Sequence, residues 1–123
     1  MHFKFLEQYV EEQAKENTYD LDANLGVLKF YQFNPLNMNI EITRLILLKA
    51  LTNLPFSDFV LCKYLLLPSQ MRDDVVKEII YIADILEQCD FVLFWQTVQN
   101  KGELFEKITG FYVSLLKSSN NKQ

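Results

Sequence analysis

The stretch QAKENTYDLDANLGVLKFYQFNP, residues Gln13–Pro35, sets the pattern of the whole chain. It contains the end of one helix, a capped turn, a second helix and a stop. Upstream, Phe3, Leu6, Val10 and Ala14 share one helical face. Glu7, Glu11 and Lys15 share another, with Glu11 and Lys15 paired four residues apart, so a helix is predicted over Phe3–Asn17. Asp20 is suited to cap the next helix, its carboxylate accepting amide hydrogens of the first turn. Leu21, Leu25 and Leu28 continue as an apolar stripe widened by Val27 and Tyr31. Asn34-Pro35 ends it, because a residue before proline avoids the helical region.

The same grammar runs through the rest of the chain. A third helix is predicted from about Ile40 to Asn53, with Leu45, Leu48 and Leu51 inward and Pro55 closing the turn. Ser57 caps a short fourth helix carrying Phe59, Cys62 and Leu66, stopped by Pro68. The fifth, about Met71 to Gln88, has Val75, Val76, Ile79, Ile80, Ala83 and Leu86 on its apolar face. Asp73, Lys77, Asp84 and Gln88 face water. Asp90 caps a sixth helix bearing Phe91, Phe94, Trp95 and Val98, broken at Gly102, and a seventh carries Leu104, Ile108, Phe111 and Leu115. Leu25, Leu28, Lys29 and Pro35 recur twenty residues on as Leu45, Leu48, Lys49 and Pro55. That spacing is one helix plus its turn, as in HEAT-like arrays. Short loops favour antiparallel neighbours. The expected architecture is an all-α, HEAT-like stack of about seven antiparallel helices, a single domain over residues 1–117 with a polar tail at 118–123.

Composition agrees with one folded helical domain. The chain has 123 residues, 50% of them hydrophobic, with only three glycines and three prolines. Net charge is −4, and Arg44 and Arg72 are the only arginines. Nucleic-acid binders carry a basic excess and clustered arginine, so direct RNA binding is not expected as the main task, although the balance leaves room for a local basic patch. His2 and Lys4 lead into an acidic amphipathic segment, so no signal peptide is read. No apolar run reaches the ~20 residues of a membrane span. Cys62 and Cys89 lie in apolar helical contexts and suggest no disulfide framework. The expected setting is soluble, reducing and intracellular.

The chain offers little to catalysis. His2 is the only histidine, at a terminus, and Cys62 and Cys89 are far from it in sequence. Neither a nucleophile with its base nor a metal-ligand spacing results. The two cysteines read as small buried hydrophobes. Asp20, Asp22, Asp73 and Asp74 lie near predicted helix starts, where they complement the helix dipole, and Glu11-Glu12 is a bare pair. No glycine-rich phosphate loop occurs. No catalytic, cofactor-binding or metal site is therefore assigned. Phe30, Tyr31 and Phe33 crowd one helix end, and Phe91, Phe94 and Trp95 another. Helical spacing favours packing, with some rings left on the rim as interface anchors. Tyr81 is the one candidate named, lying between Lys77 and Asp84 on the polar side of its helix.

The wording of Gln13–Pro35 closely resembles the subunit k family of eukaryotic translation initiation factor 3. Ordered matches follow at Ile46–Lys63, ILLKALTNLPFSDFVLCK, and at Ile79–Cys89, IIYIADILEQC. Phe94-Trp95-Gln96 and Ile108-Thr109-Gly110-Phe111 complete the series. The resemblance implies a HEAT-like helical stack followed by a winged-helix domain. The second part is not read here, since Tyr112–Leu116 departs from the family pattern and a polar tail follows. By that reading, Leu115 and Leu116 end on an exposed apolar edge, and self-association or marginal stability is expected. The resemblance also implies a non-catalytic, cytoplasmic subunit that supports assembly on the small ribosomal subunit and translation initiation. Subunit l is its nearest partner, without sequence-specific nucleic-acid or membrane contact. A free-standing helical adaptor that no longer joins the complex is the alternative. An enzyme would have to work through His2 or Cys62.

Overall fold

The computed structural model describes residues 3–53 and 57–100. They form α1 (Phe3–Glu16), α2 (Leu21–Phe33), a 3-10 turn (Pro35–Asn37), α3 (Ile40–Thr52), α4 (Ser57–Tyr64), α5 (Pro68–Met71), α6 (Asp74–Glu87) and α7 (Phe91–Asn100). Among the described residues there are seven α-helices and no strand. The all-helical expectation is met, and the arrangement is compatible with a HEAT-like stack. Several expectations lie outside the described residues: those on His2, Pro55, the Gly102 break, the helix carrying Leu104–Leu115, the Leu115–Leu116 edge and the 118–123 tail. The side chain of Val98 also lies outside them.

Caps set most of the helix limits. Asp20 accepts from the Ala23 amide at 3.1 Å and starts α2. Asn39 does the same for α3, accepting from Glu41 at 3.0 Å and Ile42 at 3.4 Å. Asp73 accepts from Val76 at 3.0 Å and Asp90 from Leu93 at 3.1 Å, opening α6 and α7. At the far ends of α1 and α6, Asn17 (φ 55°) and Cys89 (φ 59°) turn left-handed. The following amides then reach back to carbonyls five residues earlier, Thr18 to Gln13 at 3.0 Å and Asp90 to Ile85 at 3.2 Å. These are Schellman closures.

Three limits differ from the sequence reading. Ser57 is the first residue of α4 rather than the cap before it. α4 ends at Tyr64, so Leu66 lies beyond it, yet it is buried in the core. Pro68 does not merely stop a helix. It opens α5, a position where its missing N–H costs nothing and its fixed φ suits the first turn. The predicted fifth helix over Met71–Gln88 is consequently split, with Asp73 capping α6 instead of riding on a wet face.

α3 occupies the centre and packs against α1, α4 and α6, with α2 also in contact. Its inward set is far wider than Leu45, Leu48 and Leu51. Ile42, Thr43, Ile46, Leu47, Leu48, Lys49, Ala50 and Leu51 are all buried, while Leu45 is only half-buried. Each large apolar side chain buried in this way is worth about 1.5–3 kcal/mol. Around it gather Val10, Val27, Leu28, Phe59, Cys62, Val76, Ile79, Ile82 and Phe94.

Candidate functional site

Polar residues inside the stack act as joints between helices. Gln13 and Asn24, both fully buried, exchange amide hydrogen bonds between α1 and α2 at 2.8 and 3.1 Å. Gln13 Oε1 also accepts from the backbone amide of Asp20 at 2.8 Å. Tyr31 donates to Glu7 further along the same pair of helices. The pairings 13 with 24 and 7 with 31 run in opposite senses, so α1 and α2 are antiparallel. Gln70 on α5 donates to Thr43 Oγ1 at 2.7 Å and accepts from the Leu67 amide at 2.6 Å. Arg44 makes a two-pronged contact with Asp73, 2.7 Å from Nη2 to Oδ1 and 3.0 Å from Nε to Oδ2. Among the described residues, every buried side-chain nitrogen and oxygen has a hydrogen-bond partner.

The titratable groups are perturbed by this packing. Burial, reinforced by Asp58, pushes the Cys62 thiol up to about 12. Burial and the acceptors Asp58 and Glu7 raise the Tyr19 and Tyr31 phenols well above the usual range. The Arg44 hydrogen bonds hold the Asp73 carboxyl below its ordinary value, against a smaller opposing effect of burial. Lys49 is 1% exposed, its ammonium donating to Asn17 Oδ1 at 3.2 Å, and burial lowers its pKa. Cys62 is buried as its apolar context implied, whereas Cys89, also read as a buried hydrophobe, is exposed because it lies in the left-handed turn after α6. No group of three or more His, Cys, Asp or Glu that could hold a metal occurs among the described residues. Glu11 and Glu12 line a surface recess with Gln8 and Lys15. Of the acids read as helix-start residues, Asp20 and Asp73 cap, and Asp22 and Asp74 lie in first turns.

The solvent face carries the other notable residues. Tyr81 is 49% exposed on α6, where the sequence places it. Phe33 and Tyr64 are more open, at 83% and 80%, and Leu36 is fully exposed. Of the aromatic cluster at the end of α2, only Tyr31 is fully buried, and Phe30 is half-buried. In α7, Phe94 is buried edge-on against Trp95, ring centroids 5.3 Å apart, and Phe91 is exposed. Sequence reasoning singled out Phe59, Cys62 and Leu66 on this helix and passed over Tyr64.

The described helices define an all-helical scaffold. No helix among the described residues is long and apolar enough to cross a membrane. Residues 37–116 match the CSN8/PSMD8/EIF3K family, and the chain belongs to that family. It is similar to proteins named eukaryotic translation initiation factor 3 subunit K. Identity is 64% to those of Culex quinquefasciatus and Aedes aegypti and 60% to that of Drosophila willistoni. Each match covers 94% of this chain and 52% of the relative. The resemblance first read in Gln13–Pro35 is thus borne out. The chain spans about half the length of the curated relatives it matches.

Proposed function

We propose that the chain is a non-catalytic interaction module of the eukaryotic translation initiation factor 3 complex. It works in the cytoplasm by shape and apolar contact, supporting assembly on the small ribosomal subunit and translation initiation. The observation that carries this reading is identity of 58–64% to relatives named as subunit K of that factor. The fold supports it, since the buried polar groups join helices and the exposed groups include large apolar side chains. Subunit l is the partner we assign first, and Tyr81 is an anchor we assign on α6.

Affinity purification from cells, under conditions that preserve the complex, tests the reading. Recovery of other subunits with the chain is expected, and recovery of the chain alone would overturn the proposal. Pull-down with purified subunit l tests the finer assignment, with Tyr81→Ala expected to weaken capture.

A further inference from the structure

One end of the stack combines exposed apolar side chains with positive charge. Gln32 Nε2 donates to the Leu65 carbonyl at 3.0 Å, which brings the last turn of α2 beside the end of α4. Phe33, next to this bond on α2, is 83% exposed, and Leu36 in the following 3-10 turn is 100% exposed. Tyr64, next to it on α4, is 80% exposed, and Leu61, three residues earlier on the same helical face, is 48% exposed. Together these four expose roughly 500–600 Å² of side chain, the size of the largest patch on a typical monomer.

The charges beside them on α2 and α4 are both basic. Lys29 is exposed one turn before Phe33, hence on the same face of α2, and Lys63 adjoins Tyr64. Lys4 and Arg72 are exposed at the same end of the stack. Two acids at this end are already engaged, Glu7 by Tyr31 and Asp73 by Arg44. Glu41 and Asp74 are also exposed at this end, in the first turns of α3 and α6 rather than on α2 or α4. The opposite end is acidic, exposing Glu16, Asp22, Glu87 and Asp90.

We propose that the α2–α4 end, through Phe33, Leu36, Leu61 and Tyr64 flanked by Lys29 and Lys63, docks an acidic amphipathic helix of a partner protein. Charge selects the sign of the partner. Patch size selects its form, because a stable face-to-face contact between globular domains needs about 800 Å² per side, and a single helix laying down a few apolar anchors needs less. A second copy of the chain could offer its acidic end, in a head-to-tail contact that builds rings or open chains and shows as concentration-dependent assembly. The inference rests on the interaction-module reading, and the experiment separates the two.

Two 18-residue helical peptides serve as probes, both with Leu and Phe at i, i+3, i+4 and i+7, one filled with Glu and the other with Lys. Binding to the full chain is followed by fluorescence anisotropy. The Glu peptide is expected to bind at least tenfold more tightly than the Lys peptide and to weaken as salt rises. Phe33→Ala with Tyr64→Ala should cost tenfold or more, and Lys29→Glu with Lys63→Glu should remove the charge preference. Lys29, Phe33 and Tyr64 are exposed and Lys63 partly so, and unchanged circular dichroism confirms folding. Equal binding of the two peptides, or variants that bind like the wild type, would overturn the proposal. So would tighter binding of a 12-nucleotide oligouridine lost in the same variants, or concentration-dependent sedimentation abolished by Phe33→Ala. Recovery of the complex from cells with the Phe33/Tyr64 variant at wild-type yield defeats the docking surface alone. Failure with the wild-type chain defeats the underlying reading.

Discussion

Gln13 and Asn24 form a reciprocal amide pair across the α1–α2 interface, with neither side chain exposed to solvent. Neither residue stands out in a hydrophobic plot, yet the pair sets the register of two helices. Gln13 also holds the backbone of Asp20, the cap of α2, so one side chain links the end of α1 to the start of its neighbour.

Asn24→Ala strands the Gln13 amide in an apolar interior. A buried donor or acceptor left without a partner costs about 1–3 kcal/mol, so the urea midpoint should fall with the m-value unchanged. Replacing both residues by Leu should cost less than the sum of the two single substitutions, since no side-chain amide is left unpaired and only the Asp20 backbone N–H loses its acceptor. Additive losses would show that the two amides are not coupled.

Asp73 serves as the cap of α6 and as the partner of Arg44. Asp73→Ala removes both roles and should cost about 1–2 kcal/mol, mostly from the cap. The ion pair adds little because it is partly exposed and screened. Asp73→Asn keeps the cap and should cost less. The folded-state pKa of Asp73 is depressed, so its contribution is present above the unfolded value of about 3.9 and disappears as pH falls through the lower folded value. The acid limb of stability should therefore be shallower in Asp73→Asn than in the wild type, as read from denaturation midpoints across pH.

Cys89 holds a left-handed conformation that its Cβ opposes, whereas Asn17 occupies the equivalent place on α1 with a residue type that tolerates it. Cys89→Gly should stabilise the chain by about 0.5–1 kcal/mol, and Cys89→Val should destabilise it. Thiol labelling gives a separate reading of the two cysteines. At pH 8 Cys89 should react quickly, and Cys62, buried and with its pKa pushed up to about 12, only after unfolding. Rapid labelling of both in the native chain would contradict the burial of Cys62.

Lys49 sends its four-carbon stem through the core to Asn17. If the stem matters more than the charge, Lys49→Met should stay within about 1 kcal/mol of the wild type. Lys49→Ala, which empties the same volume, should cost about 2 kcal/mol or more. Thermal melting of the two variants decides between packing and charge, and equal losses would assign the effect to the ammonium group.

The twenty-residue echo shows where sequence reading stops. Leu28 and Leu48 are both buried, and Leu25 and Leu45 both half-buried, as a repeat requires. Lys29 and Lys49 part company, the first exposed and the second 1% exposed. Nothing local separates them. α2 lies at the side of the stack, while α3 is surrounded by α1, α4 and α6. A periodic pattern reports one buried face, and a central helix such as α3 keeps only a narrow wet strip, at Glu41, Arg44 and Leu45, for the pattern to reveal. The candidate surface was only partly legible for a related reason. Tyr81 could be placed on a polar face because α6 is amphipathic. Phe33 and Tyr64 could not, because exposure at a helix end depends on which helices stop beside it.

Local chemistry alone determined the helical class, the Asp20 and Asp90 caps and the family. Asp20 and Asp90 act within four residues of themselves, and the distinctive wording of Gln13–Pro35 needs no neighbour to be read. Tertiary structure alone decided the central place of α3, the Gln13–Asn24 and Arg44–Asp73 joints, the role of Pro68 as a start, and the exposure of Phe33 and Tyr64. Those depend on contacts between residues far apart in the chain, and burial there follows from which surfaces the folded helices bring together.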